Sequence, residues 1–180
     1  MVAKEIPNGM LIRPATPDDV PLILQLVREL ADYEHSPDQV VATEASLQQH
    51  LFGQGFGRGP VAEAIIGELD GRAEGFALFF ANFSTWLASS GIYLEDLFVR
   101  PAARGRGLGK ALLTRVAQIA VQRGCGRVEW SVLSWNKLAI GFYDGLGAKA
   151  MSEWTVYRLA GEALARMGGG GESVGEANSR

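Results

Sequence analysis

The chain has a single cysteine, Cys125, so no disulfide can form within it, and this fits a reducing compartment. Cys125 lies between Gly124 and Gly126 with no histidine nearby, a poor setting for a nucleophile. Histidine is nearly as scarce. His35 and His50 stand apart with no cysteines beside them, so no metal site is expected. Long apolar runs are also missing: none reaches the roughly 18 to 20 residues of a membrane span. The opening MVAKEIPNG lacks the apolar core of a signal peptide, and a cytoplasmic protein without a membrane partner is expected. Excess charge is small, a formal −3, with a pI of about 5.4. That argues against nucleic acid as a partner while leaving room for a local basic pocket. At 180 residues and 47% hydrophobic, one ordinary globular domain is expected.

What is present centres on one stretch, IYLEDLFVRPAARGRGLGKALLTR, at 92–115. Residues 92–99 read as a strand and 100–106 as a tight basic loop. From Gly107 the spacing turns helical, with Leu108, Ala111, Leu112, Val116 and Ile119 apolar. Gly105, Gly107 and Gly109 remove the side chains that would hold a bulky anion away from the backbone. The first N–H groups of a helix lack intrahelical partners and lie at the positive end of its dipole, a setting that binds phosphate. Arg104, Arg106 and Lys110 add charge. The stretch reads as the pyrophosphate seat of a nucleotide-type ligand. Just upstream, Glu95 and Asp96 interrupt an apolar strand, where carboxylates are costly unless used or paired. Strict alternation puts these two on opposite faces, so both line one site only if the strand bulges there.

The rest of the chain supplies elements around that unit. Residues 1–9 read as a loose lead and 10–15 as a short strand. Thr16, Pro17 and Asp19 mark a helix start: a hydroxyl cap, proline at the first helical position, and an acid three residues after the cap. Val20, Ile23, Leu24, Val27, Leu30 and Ala31 form its apolar face, running to about Tyr33. Its end carries Glu29, Asp32 and Glu34. Acids there oppose the dipole, so they are either a solvated face or part of a site. A shorter helix spans 43–52. The glycine-rich 53–59 has no strand before it and no clear helix after it, which excludes a nucleotide loop. Strands at 61–69 and 73–84 flank Asp70-Gly71, a hairpin turn signal. After the long helix come a strand at 127–133, a helix at 135–143 and a last strand at 150–159. Residues 168–180 read as a disordered tail. The domain therefore spans 10–167 and is α/β with a mixed sheet.

Two phosphate loops are excluded. The magnesium-binding hydroxyl of a P-loop is missing, because Ala111 follows Lys110. The G-x-G-x-x-G dinucleotide fingerprint is absent too, the glycines standing at 105, 107 and 109. What remains, Arg104-Gly-Arg-Gly107-Leu-Gly109 between a strand and a helix, resembles the acetyl-CoA motif of the GNAT acetyltransferase superfamily. The strand YLEDLFV at 93–99 resembles that of its spermidine/spermine (diamine) and thialysine acetyltransferases. So do LIRPAT at 11–16, ELADYE at 29–34, and Trp135-Asn136 with Phe142-Tyr143. The resemblance covers about 11–167. It implies a mostly antiparallel sheet splayed between its fourth and fifth strands, with helices on both faces and acetyl-CoA in the gap. It implies that Leu97, Phe98 and Val99 meet the pantetheine arm through their backbone. The run Arg104, Gly105, Arg106, Gly107, Leu108, Gly109 and Lys110 then holds the pyrophosphate, Asn136 contacts the cofactor, and Tyr143 stands near the thioester sulfur. A homodimer with both chains shaping each site is also implied.

The chemistry has its own logic. An amine must be neutral to attack a thioester, and near a pKa of 10.4 roughly one molecule in two thousand is neutral at pH 7. A carboxylate that takes the proton is useful, and Glu95 is the candidate base. The Tyr143 hydroxyl is the candidate acid for the leaving thiolate. Both have plain structural alternatives, an ion pair for Glu95 and a half-buried helix aromatic for Tyr143. Glu95, Asp96 and some of Glu29, Asp32 and Glu34 suit a cationic acceptor. Trp86, Trp135 and Trp154 are either core or cation–π faces. Polyamine-acetylating members tend to carry Asp-Pro-Trp before the YLED strand, whereas this chain has Ser84-Thr85-Trp86. A lysine-like amino acid or another small amine is thus open beside a polyamine or diamine. The expected reaction is direct attack in a ternary complex, without metal. The alternatives are a protein or peptide amine as acceptor, and a non-catalytic acyl-CoA-binding sensor.

Overall fold

A computed structural model describes residues 4–6, 9–54 and 59–169. The chain groups into two compact units, 1–131 and 132–180.

The first unit holds a six-stranded sheet in chain order: β1 (Lys4–Ile6), β2 (Met10–Pro14), β3 (Glu63–Leu69), β4 (Arg72–Ser84), β5 (Ser89–Val99) and β6 (Val128–Glu129). Every pair is antiparallel except β5 with β6, so the sheet is mixed as expected. β1 lies within the residues read as a loose lead. Its three residues pair with β2, too short a run for a period to register. Between β3 and β4, Asp70 and Gly71 both take positive φ, 52° and 75°, as a two-residue hairpin turn demands.

Three helices belong to this unit: α1 (Val20–Tyr33), α2 (Glu44–Phe52) and α3 (Leu108–Gln122). A 3-10 turn, Pro17–Asp19, precedes α1. Both the N–H and the hydroxyl of Thr16 donate to Asp19 Oδ2, at 2.8 and 2.9 Å. Arg13 also grips Asp19 through two bonds, at 2.7 and 2.8 Å, and holds its carboxyl down at about 2. α1 buries Val20, Ile23, Leu24 and Leu26. Its core cluster joins Ile23 and Leu26 to Ile66, Phe76 and Phe98 on one face of the sheet. α3 covers the other face, burying Leu108, Leu112, Val116 and Ile119. It seats closely because Gly67 has no side chain: a Cβ there would lie 2.8 Å from Leu108 Cδ1.

β6 is two residues long where a strand over 127–133 is expected, and it pairs only with Ile92 and Tyr93. Among the described residues no strand pairs with that edge from Leu94 to Val99. The sheet is therefore open beside the second half of β5. This is the splay that the resemblance implies, between the fifth and sixth strands once β1 is counted.

The second unit holds α4 (Lys137–Gly145) and α5 (Gly161–Met167). Asn136 caps α4, its Oδ1 accepting from Ala139 N–H at 3.1 Å. The strand expected at 150–159 does not form, and α5 was not foreseen. Met151, Trp154, Val156, Tyr157 and Leu159 are all exposed. Aromatic and β-branched residues among them mark strand propensity, but among the described residues this unit contains no strand for them to pair with. Most of the expected tail, 170–180, lies outside the described residues, as does 55–58 of the glycine-rich loop.

Candidate active site

The site is built on β5, the loop after it and the start of α3. β5 carries a bulge. Phe79 pairs with Leu94 and Leu78 with Asp96, so Glu95 has no partner on β4. Paired residues share a face, and one extra residue exchanges the faces beyond it. Before the bulge, Ile92 and Leu94 align with Ala81 and Phe79 on the α3 side. After it, Asp96 and Phe98 align with Leu78 and Phe76 on the α1 side. Asp96 is thereby turned toward the acidic end of α1, while Glu95 stays exposed on the bulge.

The electrostatics agree with this placement. Burial, then the charges of Glu95 and Glu34, push the Asp96 carboxyl up to about 7. Burial also raises Glu34. Glu29 behaves differently. Arg100 donates to both its oxygens, at 2.8 and 2.9 Å, and this contact holds its carboxyl below the usual range. Glu29 is thus paired with Arg100 through both its oxygens. Asp32 is exposed near the end of α1. Trp86 lies in the turn before β5, and from Ser89 to Glu95 the strand runs about 20 Å.

The glycine loop has the form of an anion seat. Gly105 and Gly107 take φ of 76° and 90°, the left-handed region that glycine enters without penalty. A Cβ on Gly105 would meet nothing within 4 Å. At Gly109 it would only touch Val99 Cγ2 at 3.8 Å. The protein's own packing does not require glycine at 109, so the space is left for something that approaches the helix N-terminus. These residues fit a pyrophosphate. Leu108 and Phe98 are buried, so they have only backbone groups to offer a ligand. Leu97 and Val99 lie half-buried on the unpaired edge.

Of the three basic side chains, Lys110 is exposed. Arg106 donates to Asp70 Oδ2 at 2.8 Å, in the turn between β3 and β4. Arg104 donates from Nε to the Val99 carbonyl at 2.9 Å, and its guanidinium lies 4.4 Å from the ring centre of Tyr33. Asp70, Arg100 and Tyr33 are the neighbours that sequence reasoning missed. Tyr33 carried the one available signal, an aromatic beside Glu34 at the end of an amphipathic helix.

Asn136, Tyr143, Trp135 and Trp154 belong to the second unit. Asn136 spends its carbonyl on the α4 cap. Tyr143 is half-buried in the last turns of α4, its ring 5.2 Å from that of Phe142. Trp135 and Trp154 are exposed. Among the described residues, no three His, Cys, Asp or Glu side chains gather as metal ligands. Nor is any described helix long and apolar enough to cross a membrane.

Comparison with known proteins adds to this geometry. Residues 24–148 match the acetyltransferase (GNAT) family. Thialysine N-epsilon-acetyltransferase of Bos taurus is 36% identical over 171 residues, 89% of this chain and 98% of that protein. L-ornithine N5-acetyltransferase NATA1 of Arabidopsis thaliana is 36% identical over 194 residues, with 85% of each chain covered. A solved integron cassette protein from the mobile metagenome of V. cholerae superposes with a TM-score of 0.73 at 29% identity, over 89% of this chain and 98% of that one. The sequence match spans most of the strand–loop–helix unit's surroundings as well as the unit itself, and the chain belongs to the GNAT acetyltransferase family.

Proposed function

We propose that the chain moves an acetyl group from acetyl-CoA to the primary amine of a small cationic acceptor: a polyamine, a diamine or an amino acid with a lysine- or ornithine-like side chain. The relatives named for thialysine and ornithine support an amine on a short side chain. The observation that carries the reading is the bulge at Glu95, which brings Asp96 to the α1 side with Glu34 while Glu95 remains open to solvent. Three carboxylates in that region suit an ammonium group before it loses its proton.

Acetyl-CoA supplies a thioester that a neutral amine attacks directly. The backbone of Leu97, Phe98 and Val99 lines the open edge for the pantetheine arm. The glycine loop and the first N–H groups of α3 hold the pyrophosphate. Asp96 and Glu34 hold the acceptor's positive charge. Glu95 takes the amine proton, directly or through water. As the C–N bond forms and the C–S bond breaks, Tyr143 gives its hydroxyl proton to the departing sulfur, and the second proton shed by the nitrogen as the amide forms restores the tyrosine. No covalent enzyme intermediate is required. The protein is cytoplasmic in this reading and acts as a homodimer, as its resemblance to the diamine acetyltransferases implies.

The test is CoA release, followed with a thiol reagent, across spermidine, spermine, short diamines, lysine, ornithine, thialysine and an amine-terminated peptide. Turnover on a small amine is expected, at a kcat/KM well above that for the peptide. Turnover on the peptide alone overturns the acceptor class. Acetyl-CoA binding with no turnover on any amine overturns the enzyme reading in favour of a sensor.

A further inference from the structure

We infer that Tyr33 is a positioning residue for acetyl-CoA, holding Arg104 at the phosphate loop from the end of α1. The inference rests on the reading of that loop as the pyrophosphate seat.

Arg104 opens the glycine motif, and its side chain reaches back instead of out to solvent. Two restraints fix it. Nε donates to the Val99 carbonyl at 2.9 Å, which pins the stem against the end of β5. The guanidinium carbon then lies over the Tyr33 ring, 4.4 Å from its centre, with the Phe98 ring centre at 5.9 Å. A cation within about 6 Å of an aromatic centroid is attracted by the ring quadrupole, more strongly when partly shielded from water. Arg104 and Tyr33 are both half-buried. Nε makes the guanidinium's one hydrogen bond among the described residues, so the terminal nitrogens keep their donors for an anion. An arginine already ordered loses less rotamer freedom when it meets a phosphate.

Phe98 alone does not explain the arrangement. It lies farther off and is buried in the core, and the bulge at Glu95 is what turns it to this side. Tyr33 comes from another element. It closes α1 one residue before Glu34, so the helix end that faces Asp96 also braces the cofactor arginine. Acceptor and cofactor halves of the first unit thus share one anchor.

The test measures acetyl-CoA affinity by calorimetry, and separately KM for acetyl-CoA and kcat with the best amine. Tyr33→Phe keeps the ring and is expected to bind acetyl-CoA within about twofold of wild type. Tyr33→Met keeps apolar bulk but loses the ring face. It should weaken acetyl-CoA by roughly three- to thirtyfold, chiefly in KM and with kcat little changed. In an Arg104→Gln background the same change should cost nothing further. The inference is overturned if Tyr33→Met binds as wild type, if Tyr33→Phe is equally weak, or if the loss persists without Arg104. Should Tyr33→Met not fold, Arg104→Lys asks the question from the other partner. It keeps the charge but loses the Nε bond and the guanidinium, and wild-type affinity in that variant overturns the inference. Wild-type protein that binds no acetyl-CoA overturns the site reading and the inference together. Wild-type binding and turnover with unaffected variants overturns the inference alone.

Discussion

At the scale of single residues, the neighbouring carboxylates on β5 have different surroundings and therefore different work. Glu95 is exposed at the bulge, and Glu95→Gln is expected to lower kcat by about a hundredfold or more if it takes the amine proton. An unchanged rate and pH profile in that variant would remove the assignment. Tyr143→Phe with full turnover would likewise remove the proposed acid. Asp96 makes a prediction about stability. Its carboxyl is raised to about 7 in the fold, against about 4 in an unfolded chain, so the folded state holds the proton more tightly. Folding is then penalised progressively as pH rises from about 4 through about 7, and the penalty is constant above that. Melting temperatures of wild type and Asp96→Asn should diverge across this window in the variant's favour. A gap that does not vary with pH would contradict the placement of Asp96. Both acids were legible in the sequence as residues out of place in an apolar strand. The bulge was not, because a two-residue period read along one strand cannot register a slip that exists only relative to its partner. For the same reason the partner of Glu29 was hidden: nothing local shows that Arg100, far along the chain, donates to both its oxygens.

At the scale of elements, the strand–loop–helix unit was readable because its signals are local. Glycines, a basic loop and a helical spacing fall within one short window, and α3 (Leu108–Gln122) forms where the spacing places it. The strand expected at 150–159 failed for the opposite reason. Residue type gives only a propensity, whereas a strand exists through its partner. One contact between elements yields a direct test. Gly67 on β3 lies under Leu108 and Leu112, both buried, and an added methyl would come within 2.8 Å of the first. Gly67→Ala is expected to destabilise the fold by about 1–3 kcal/mol in denaturant titration. Because Leu108 begins α3, it should also weaken acetyl-CoA binding. Lost stability with unaltered cofactor affinity would show that the helix start does not depend on this seat.

At the scale of the whole molecule, the low charge and the missing apolar runs set the class of protein but not its division. The chain groups into compact units at 1–131 and 132–180, and the family match over 24–148 runs across that boundary. Composition carries no mark of that boundary, since neither glycine nor proline gathers at 131–132. The proposed homodimer is tested by light scattering, where a mass of twice the 19.3 kDa chain is expected and the single-chain mass would exclude it. The bulge at Glu95 has one further consequence, concerning length. It acts on β5 as a one-letter insertion acts on a triplet code: everything downstream is read out of phase with everything upstream. Substituting Glu95 changes one side chain, but deleting it would restore the phase. Asp96 and Phe98 would then turn toward α3, and the arginine loop would start from the wrong side of the sheet. The number of residues between the turn before Ser89 and the loop after Val99 is therefore as much a part of this protein's design as their identity.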